Sequence, residues 1–167
     1  APLIHGQYAG NIMAHRSFDF GDIEAGFKAS DYTREDRFFS QTVCHAALEP
    51  RAALADYEMT GKLTVWTSTQ SPFKIRRGLS TVLDMPESRI RVIKPHVGGG
   101  FGGKVELFPV QVAASLLAVK TGRPVKITLT REEETSITRV RAPMHVYVKT
   151  GVKKDGNIMA QDVRCLA

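Results

Sequence analysis

The sequence predicts a mixed α/β fold, with central strand–helix–strand–helix–strand units and antiparallel strands on both flanks. Three observations carry that expectation. Apolar residues recur at helical spacing in "SPFKIRRGLSTVLDM" and "FPVQVAASLLAVKTG", as helices that bury one face require. The segments "KLTVWTST", "RIRVIKPHV" and "RPVKITLT" around them are short and rich in β-branched residues, which suits strands. Strands alternating with helices call for crossover units, whereas both ends of the chain hold strand-like runs broken by Gly-containing turns.

Taken in order, residues 1–21 show no sustained periodicity and read as an extended lead-in. "GDIEAGFKASD" predicts a short helix capped by Asp22, with Ile23 and Phe27 on its apolar side. Tyr32 to Thr42 reads as a strand, which "CHAALEPRAA" interrupts. Ala53 to Glu58 and Lys62 to Ser68 read as strands joined by a hairpin at Thr60-Gly61. The first long helix opens with Ser71 as N-cap and Pro72 in the first turn, where a missing N–H leaves no helical bond unmade. Phe73, Ile75, Leu79, Val82 and Leu83 supply its apolar face, and in the next strand Ile90 and Val92 share one side. The second long helix ends at Gly122. "REEETSIT" forms a short helix, and "MHVYVKTGVKKDGNIMAQDVRCLA" forms a hairpin turning at Asp155-Gly156.

Composition narrows the function classes. With 167 residues, 43% hydrophobic and 24% charged, the chain suits one domain or two small lobes. Its net charge of +6 is spread in pairs such as Arg76-Arg77 and Lys153-Lys154, as on a solvated surface, so no nucleic-acid partner is expected. Cys44 and Cys165 form no metal-binding spacing, and His5, His15, His45, His96 and His145 lack ligand-like spacing. No apolar run reaches the roughly 18 residues of a membrane span. The N-terminus has no signal pattern, so the expected location is the cytoplasm.

The segment "VGGGFGGKVELFP" (97–109) concentrates five of the 14 glycines. It fits two nucleotide-binding patterns. As Gly-x-x-x-x-Gly-Lys from Gly98 it is most of a Walker A loop, but Val105 stands where a magnesium-binding Ser or Thr is needed. As Gly-x-Gly-x-x-Gly it lacks the acid at the end of the following strand, which closes at Leu129-Thr130. Glycines still allow close backbone approach with amide donors exposed, and the next helix adds a positive end. Phe101 inside the loop is unexplained by a phosphate cradle. It either plugs the core or walls a pocket for a planar ligand.

Beyond the glycines, "HAALEP" (45–50), "TSTQSP" around Gln70, "VGGGFGGK", "GRPVKITLTREEE" and "RAP" keep their order and spacing from about residue 22 to the C-terminus. In these motifs the chain resembles the molybdenum hydroxylases, the xanthine dehydrogenase, aldehyde oxidase and aerobic carbon monoxide dehydrogenase group. The resemblance implies part of a molybdopterin-binding domain, with molybdenum held by molybdopterin or its cytosine dinucleotide form. It implies that Gln70 hydrogen-bonds an oxygen on molybdenum and that Phe101 and Gly102 sit beside the metal, the Gly102 amide as donor. Gly99, Gly100 and Gly103 would carry the close backbone approach. No side chain here would ligate the metal directly; Gln70 and Gly102 would act only on groups bound to it. The implied reaction is oxidation of a small carbon-centred substrate of aldehyde, heterocycle, carbon monoxide or acyl-CoA type. Its oxygen comes from water, taken up as a metal-activated hydroxyl. Electrons would leave through iron–sulfur and flavin groups on partner subunits or domains, since two isolated cysteines cannot hold a cluster.

Departures from the family pattern bound the expectation. The family's catalytic Glu, in a distant Gly-rich motif, has no counterpart here, so no catalytic residue is assigned within this segment. Glu106, Glu132, Glu133 and Glu134 read instead as surface and helix-start charge. Purine-oxidising members carry Glu after the loop lysine; Val105 stands there, which disfavours a purine. The short length implies a piece of a larger molybdenum subunit, inactive alone. The rival expectations are a non-catalytic remnant or assembly domain of the same fold, and a nucleotide-binding domain.

Overall fold

The computed structural model describes residues 2–4 and 6–167; His5 lies outside the described residues. In chain order the elements are α1 (Ile23–Lys28), β1 (Tyr32–Ser40), β2 (Val43–Cys44), β3 (Ala52–Tyr57), β4 (Leu63–Thr67), α2 (Pro72–Leu83), β5 (Ile90–Ile93), α3 (Pro109–Thr121), β6 (Val125–Thr128), α4 (Arg131–Ser136), β7 (Val140–Arg141), β8 (Met144–Val152) and β9 (Ile158–Leu166). Single 3-10 turns occur at Ala9–Asn11 and Glu87–Arg89. Two units emerge, one from the N-terminal residues through Ser40 with Met144–Ala167, the other from Gln41–Pro143.

In the first unit β1, β8 and β9 form an antiparallel sheet in that order. Its register runs from Tyr32 opposite Val152 to Ser40 opposite Met144, and from His145 opposite Leu166 to Gly151 opposite Ala160. The predicted strand to Thr42 stops at Ser40, where pairing with β8 ends. The predicted helix is present, its first turn held by the Asp22 carboxylate, which accepts from Ala25 N at 2.9 Å. Ile23 is exposed, so the apolar contact is made by Phe27. That contact depends on small residues beneath it: a Cβ on Gly151 would strike Ser30 Oγ and stand 3.0 Å from Phe27 Cδ1. Gly151→Ala is therefore expected to destabilise the chain by about 1–3 kcal/mol through overpacking, read as a lowered midpoint in urea with an unchanged slope.

The second unit carries a four-stranded sheet in the order β5-β4-β3-β6. β4 and β5 pair in parallel through the α2 crossover, while β3 runs antiparallel to both β4 and β6. The α3 crossover therefore delivers β6 in the direction of β4 and β5, beside β3 on the far edge. A separate two-residue ladder joins β2 to β7; no sequence pattern announces it, because two residues cannot display a period. Ala53, Ala55, Leu63, Val65 and Ile90 of the sheet and Ile75, Leu79, Val110, Ala114 and Ala118 of the helices form one core. Each large aliphatic side chain sealed there contributes about 1.5–3 kcal/mol.

The α2 face corrects the expectation. Ile75 and Leu79 are buried and Leu83 packs beside them, but Phe73 and Val82 point to solvent. The core-facing stripe is the i, i+4, i+8 row, and Gly78 lets Leu107 approach, a Cβ there standing 2.9 Å from Leu107 Cδ2. Ser71 is the N-cap by position, yet its hydroxyl makes no capping bond. Its amide instead donates to Thr69 Oγ1 at 3.1 Å. α3 ends as predicted, with Gly122 in the left-handed region at φ 62°.

Candidate functional site

Strand polarity gathers the sequence motifs at one end of the second unit's sheet. Ala52, at the start of β3, lies opposite Thr128 at the end of β6. Ala53 faces Thr67 at the end of β4, and Trp66 pairs with Ile93 at the end of β5. The segments before β3 and after β4, β5 and β6 therefore share this edge. They hold "HAALEP", "TSTQ", the glycine loop and the start of α4. Loops beyond the carboxyl ends of parallel strands are where α/β sheets place ligands.

Gln70 and the glycine loop interlock. Gln70 N donates to the Lys104 carbonyl at 2.9 Å, and Thr69 Oγ1 donates to the same oxygen at 3.0 Å. The Gln70 carboxamide oxygen accepts from Gly102 N at 3.0 Å and Lys104 N at 3.2 Å. This assignment leaves the Gln70 NH₂ group, on an exposed side chain, as a donor without a partner among the described residues. Gly102 N–H, expected as a donor to a bound group, donates to Gln70 Oε1 in this structure. The open amides are those of Gly99, Gly100 and Phe101, which donate to no group among the described residues.

The loop has the shape of a cradle. Gly99 and Gly102 adopt φ of 101° and 85°, values that L side chains rarely reach. Gly100 is buried, and a Cβ on it would lie 2.6 Å from Gln70 Oε1. A Cβ on Gly103 would lie 3.0 Å from the His45 ring. Phe101 also has positive φ, at 50°, and is 69% exposed. It does not plug the core. Successive amides without partners around a Gln donor fit an anionic or oxygen-rich group.

Two ion pairs hold this cradle, one half-buried and one buried. Lys104, with a side chain 1% exposed, donates to the Glu49 carbonyl at 2.7 Å and its carboxylate at 2.9 Å. The same carboxylate accepts from Gly98 N at 2.8 Å, so Glu49 ties both ends of the loop. Because Lys104 is committed in this way, no ammonium is offered to a phosphate, unlike the lysine of a Walker loop. Deeper still, Arg51 pairs with Glu134, bonds the Gly103 carbonyl, and lies 4.0 Å over the Phe108 ring. Burial pushes the Arg51 guanidinium below its ordinary range, and the Glu134 charge opposes that shift.

The acids read as surface charge divide differently. Glu134 is 5% exposed and structural, because the fold turns it under "HAALEPR", where Arg51 N also donates to it at 2.8 Å. Glu133 caps its own helix, accepting from Thr130 N at 2.8 Å. Glu106 is half-exposed and pairs with Arg139 at 2.7 Å. Arg139, with help from Lys74, holds its carboxyl below the ordinary range. The site residues read from the sequence, Gln70, Gly99, Gly100, Phe101, Gly102 and Gly103, all come together. Sequence reasoning missed the roles of His45, Glu49, Arg51, Lys104 and Glu134. For His45, Glu49 and Lys104 the available signal was an ionisable residue inside a motif otherwise built from glycine and small apolar residues; Arg51 and Glu134 carried none. Among the described residues no group of three or more His, Cys, Asp and Glu could hold a metal ion, and no helix is long and apolar enough to cross a membrane.

Comparison with known proteins agrees with this geometry. The family model described as molybdopterin cofactor-binding domain matches residues 4–167, reaching further toward the N-terminus than the residue-22 start read from the motifs. The nicotinate dehydrogenase large molybdopterin subunit of Eubacterium barkeri is 39% identical over 163 residues, covering 98% of this chain and 38% of that protein. The xanthine dehydrogenase molybdenum-binding subunit of Escherichia coli O157:H7 is 33% identical over 167 residues, covering 100% of this chain and 22% of that one. Among solved structures, CO dehydrogenase from Oligotropha carboxidovorans superposes with a TM-score of 0.74 at 33% identity, over 87% of this chain and 18% of that chain. Quinoline 2-oxidoreductase from Pseudomonas putida gives 0.74 at 30% identity, over 86% and 18%. The chain spans well under half the length of each of these proteins.

Proposed function

The chain belongs to the molybdopterin cofactor-binding domain family, and we propose that it forms the glycine-loop wall of a molybdenum site in an oxidoreductase acting on a small carbon-centred substrate. The observation that carries the reading is the cradle itself. Gln70 is locked through its oxygen to two loop amides, which presents its NH₂ to a ligand beside open amides of Gly99, Gly100 and Phe101. Molybdopterin, or its cytosine dinucleotide form, supplies when bound a two-electron oxidant for carbon with oxygen drawn from water.

The chain's own residues bind and orient. The Gln70 NH₂ group and the amides of Gly99, Gly100 and Phe101 would hold the cofactor by donating to its oxygen-rich groups. The exposed Phe101 ring flanks an approaching planar or small apolar substrate. Val105 offers that substrate no charge, and Glu106 is already committed to Arg139 and Lys74. An aldehyde, a neutral heterocycle, carbon monoxide or an acyl-CoA type substrate fits this wall better than a purine. The general base and the remaining grips on the pterin belong to other parts of the subunit. Iron–sulfur and flavin groups belong to partner subunits or domains. A loop this open buries too little of a ligand to hold it by itself, so the 167-residue chain alone is proposed to be inactive and without tightly bound cofactor. Stoichiometric molybdenum in the purified chain would overturn that last point.

The test is Gln70→Ala in the holoenzyme. Molybdenum content or kcat/KM is expected to fall about 10–100-fold, the usual effect of removing a partner of a metal-bound group. The melting temperature should hardly move, since the side chain is exposed. Unchanged metal content and turnover would overturn the proposal.

A further inference from the structure

His45 opens the "HAALEP" segment and packs beside Gly103 of the loop without taking part in either ion pair. Its Nδ1 lies 3.1 Å from the Arg139 carbonyl oxygen. A carbonyl only accepts, so Nδ1 carries the proton, and in the neutral ring Nε2 is then an acceptor. Both nitrogens lie beside the loop, Nδ1 next to Gly103 and Nε2 next to Gly102. A Cβ on Gly103 would stand 3.0 Å from His45 Cγ and Nδ1, and one on Gly102 would stand 4.0 Å from Nε2. Nε2 accepts from no group among the described residues, and the ring is only half-buried.

Gly102 is therefore bracketed by two polar side chains from distant parts of the chain. Gln70 Oε1 holds its N–H at 3.0 Å, and His45 Nε2 lies on its Cα side. One of these side chains offers outward donors and the other an acceptor, next to the exposed Phe101 ring. Tying the loop to Arg139 requires only Nδ1; an acceptor directed at the loop has no use within the described fold.

We propose that His45 is a ligand-positioning residue whose Nε2 accepts a hydrogen bond from an N–H or O–H group of the molecule bound over the glycine loop. This rests on the proposed function for the presence of such a molecule. Two sources carry that chemistry, the pterin cofactor and the substrate, and the test separates them.

The ring's protonation is read first, on the full chain, by long-range ¹⁵N–¹H correlation of the histidine side chains. One ring, absent in His45→Gln, should show protonated Nδ1 and bare Nε2; a ring protonated on Nε2 overturns the proposal. The holoenzyme is then compared with His45→Asn and His45→Gln. Asn keeps a donor near Nδ1 for Arg139 and offers nothing at Nε2, whereas Gln can place an oxygen near Nε2. Loss of one hydrogen bond predicts an effect on the order of ten-fold for Asn, with Gln restoring most of it. If the cofactor is the donor, molybdenum per complex falls. If the substrate is, metal content holds and KM rises while kcat stays. Asn behaving as native, or Asn and Gln equally impaired, overturns the proposal. A native complex without molybdenum overturns the proposed function instead, so the two failures are told apart by which protein shows them.

Discussion

Arg51→Met should lower the unfolding free energy by about 3–5 kcal/mol, the cost of leaving one member of a buried ion pair without its partner. The pair is sealed, with side-chain exposures of 3% for Arg51 and 7% for Glu134. Methionine fills much of the volume but leaves the Glu134 carboxylate without its cation and the Gly103 carbonyl without its donor. The contact over Phe108 goes as well. In a chain of this size the change corresponds to a fall of about 6–20 °C in melting temperature. A second variant isolates the cause. Arg51→Met combined with Glu134→Leu should recover much of the loss, because replacing both members of a buried pair by apolar groups is often neutral. If the double and single variants melt together, the stranded carboxylate is not what destabilises the fold. Arg51 Nε has no hydrogen-bond partner among the described residues, so holding this charge costs some stability. Its bond to Gly103 gives that cost a functional reading: it fixes the floor of the loop.

Gly100→Ala should do the opposite, with little harm to stability and a large loss of function. The added methyl would lie 2.6 to 2.8 Å from Oε1, Cδ and Cγ of Gln70. Gly100 does not have the left-handed backbone of Gly99 or Gly102, so alanine is not strained by the main chain. Gln70 is exposed and can swing aside. The stability cost is therefore expected to stay within about 1 kcal/mol, below the usual penalty for overpacking a closed core. What is lost is the lock on Gly102 and Lys104 N–H, and with it the orientation of the Gln70 amide. Molybdenum content or turnover of the holoenzyme should fall about 10–100-fold, as for removal of Gln70 itself. A variant that melts like native and retains full metal and turnover would show that the carboxamide's orientation is not needed.

Both predictions concern residues whose importance is legible in the sequence to different degrees. The glycine at position 100 belongs to a motif whose composition already calls for close backbone approach. Arg51 looks like one more scattered basic residue, and Glu134 like helix-start charge. Nothing local distinguishes them, since their bond spans 83 positions and exists only because Ala52 and Thr128 meet in the β3–β6 ladder. Likewise Phe73 and Val82 satisfy a helical period yet face solvent. Periodicity defines a stripe, but the width of the covered part depends on what packs against it, here Leu107 over Gly78.

By itself the sequence determined the types of the longer elements, the caps at Asp22 and Gly122, and the grouping of Gln70 with Gly99–Gly103. Those rest on local physics: side-chain period, backbone freedom of glycine, and motifs held at fixed spacing. Only the tertiary structure decided which loop amides are open, that Phe101 faces outward, and which charges are buried and paired. It also decided that Lys104 serves Glu49 and which nitrogen of His45 meets the Arg139 carbonyl. Such choices depend on partners distant along the chain. Hydrogen bonds and buried charges are satisfied in space, and sequence separation carries no record of who satisfies them.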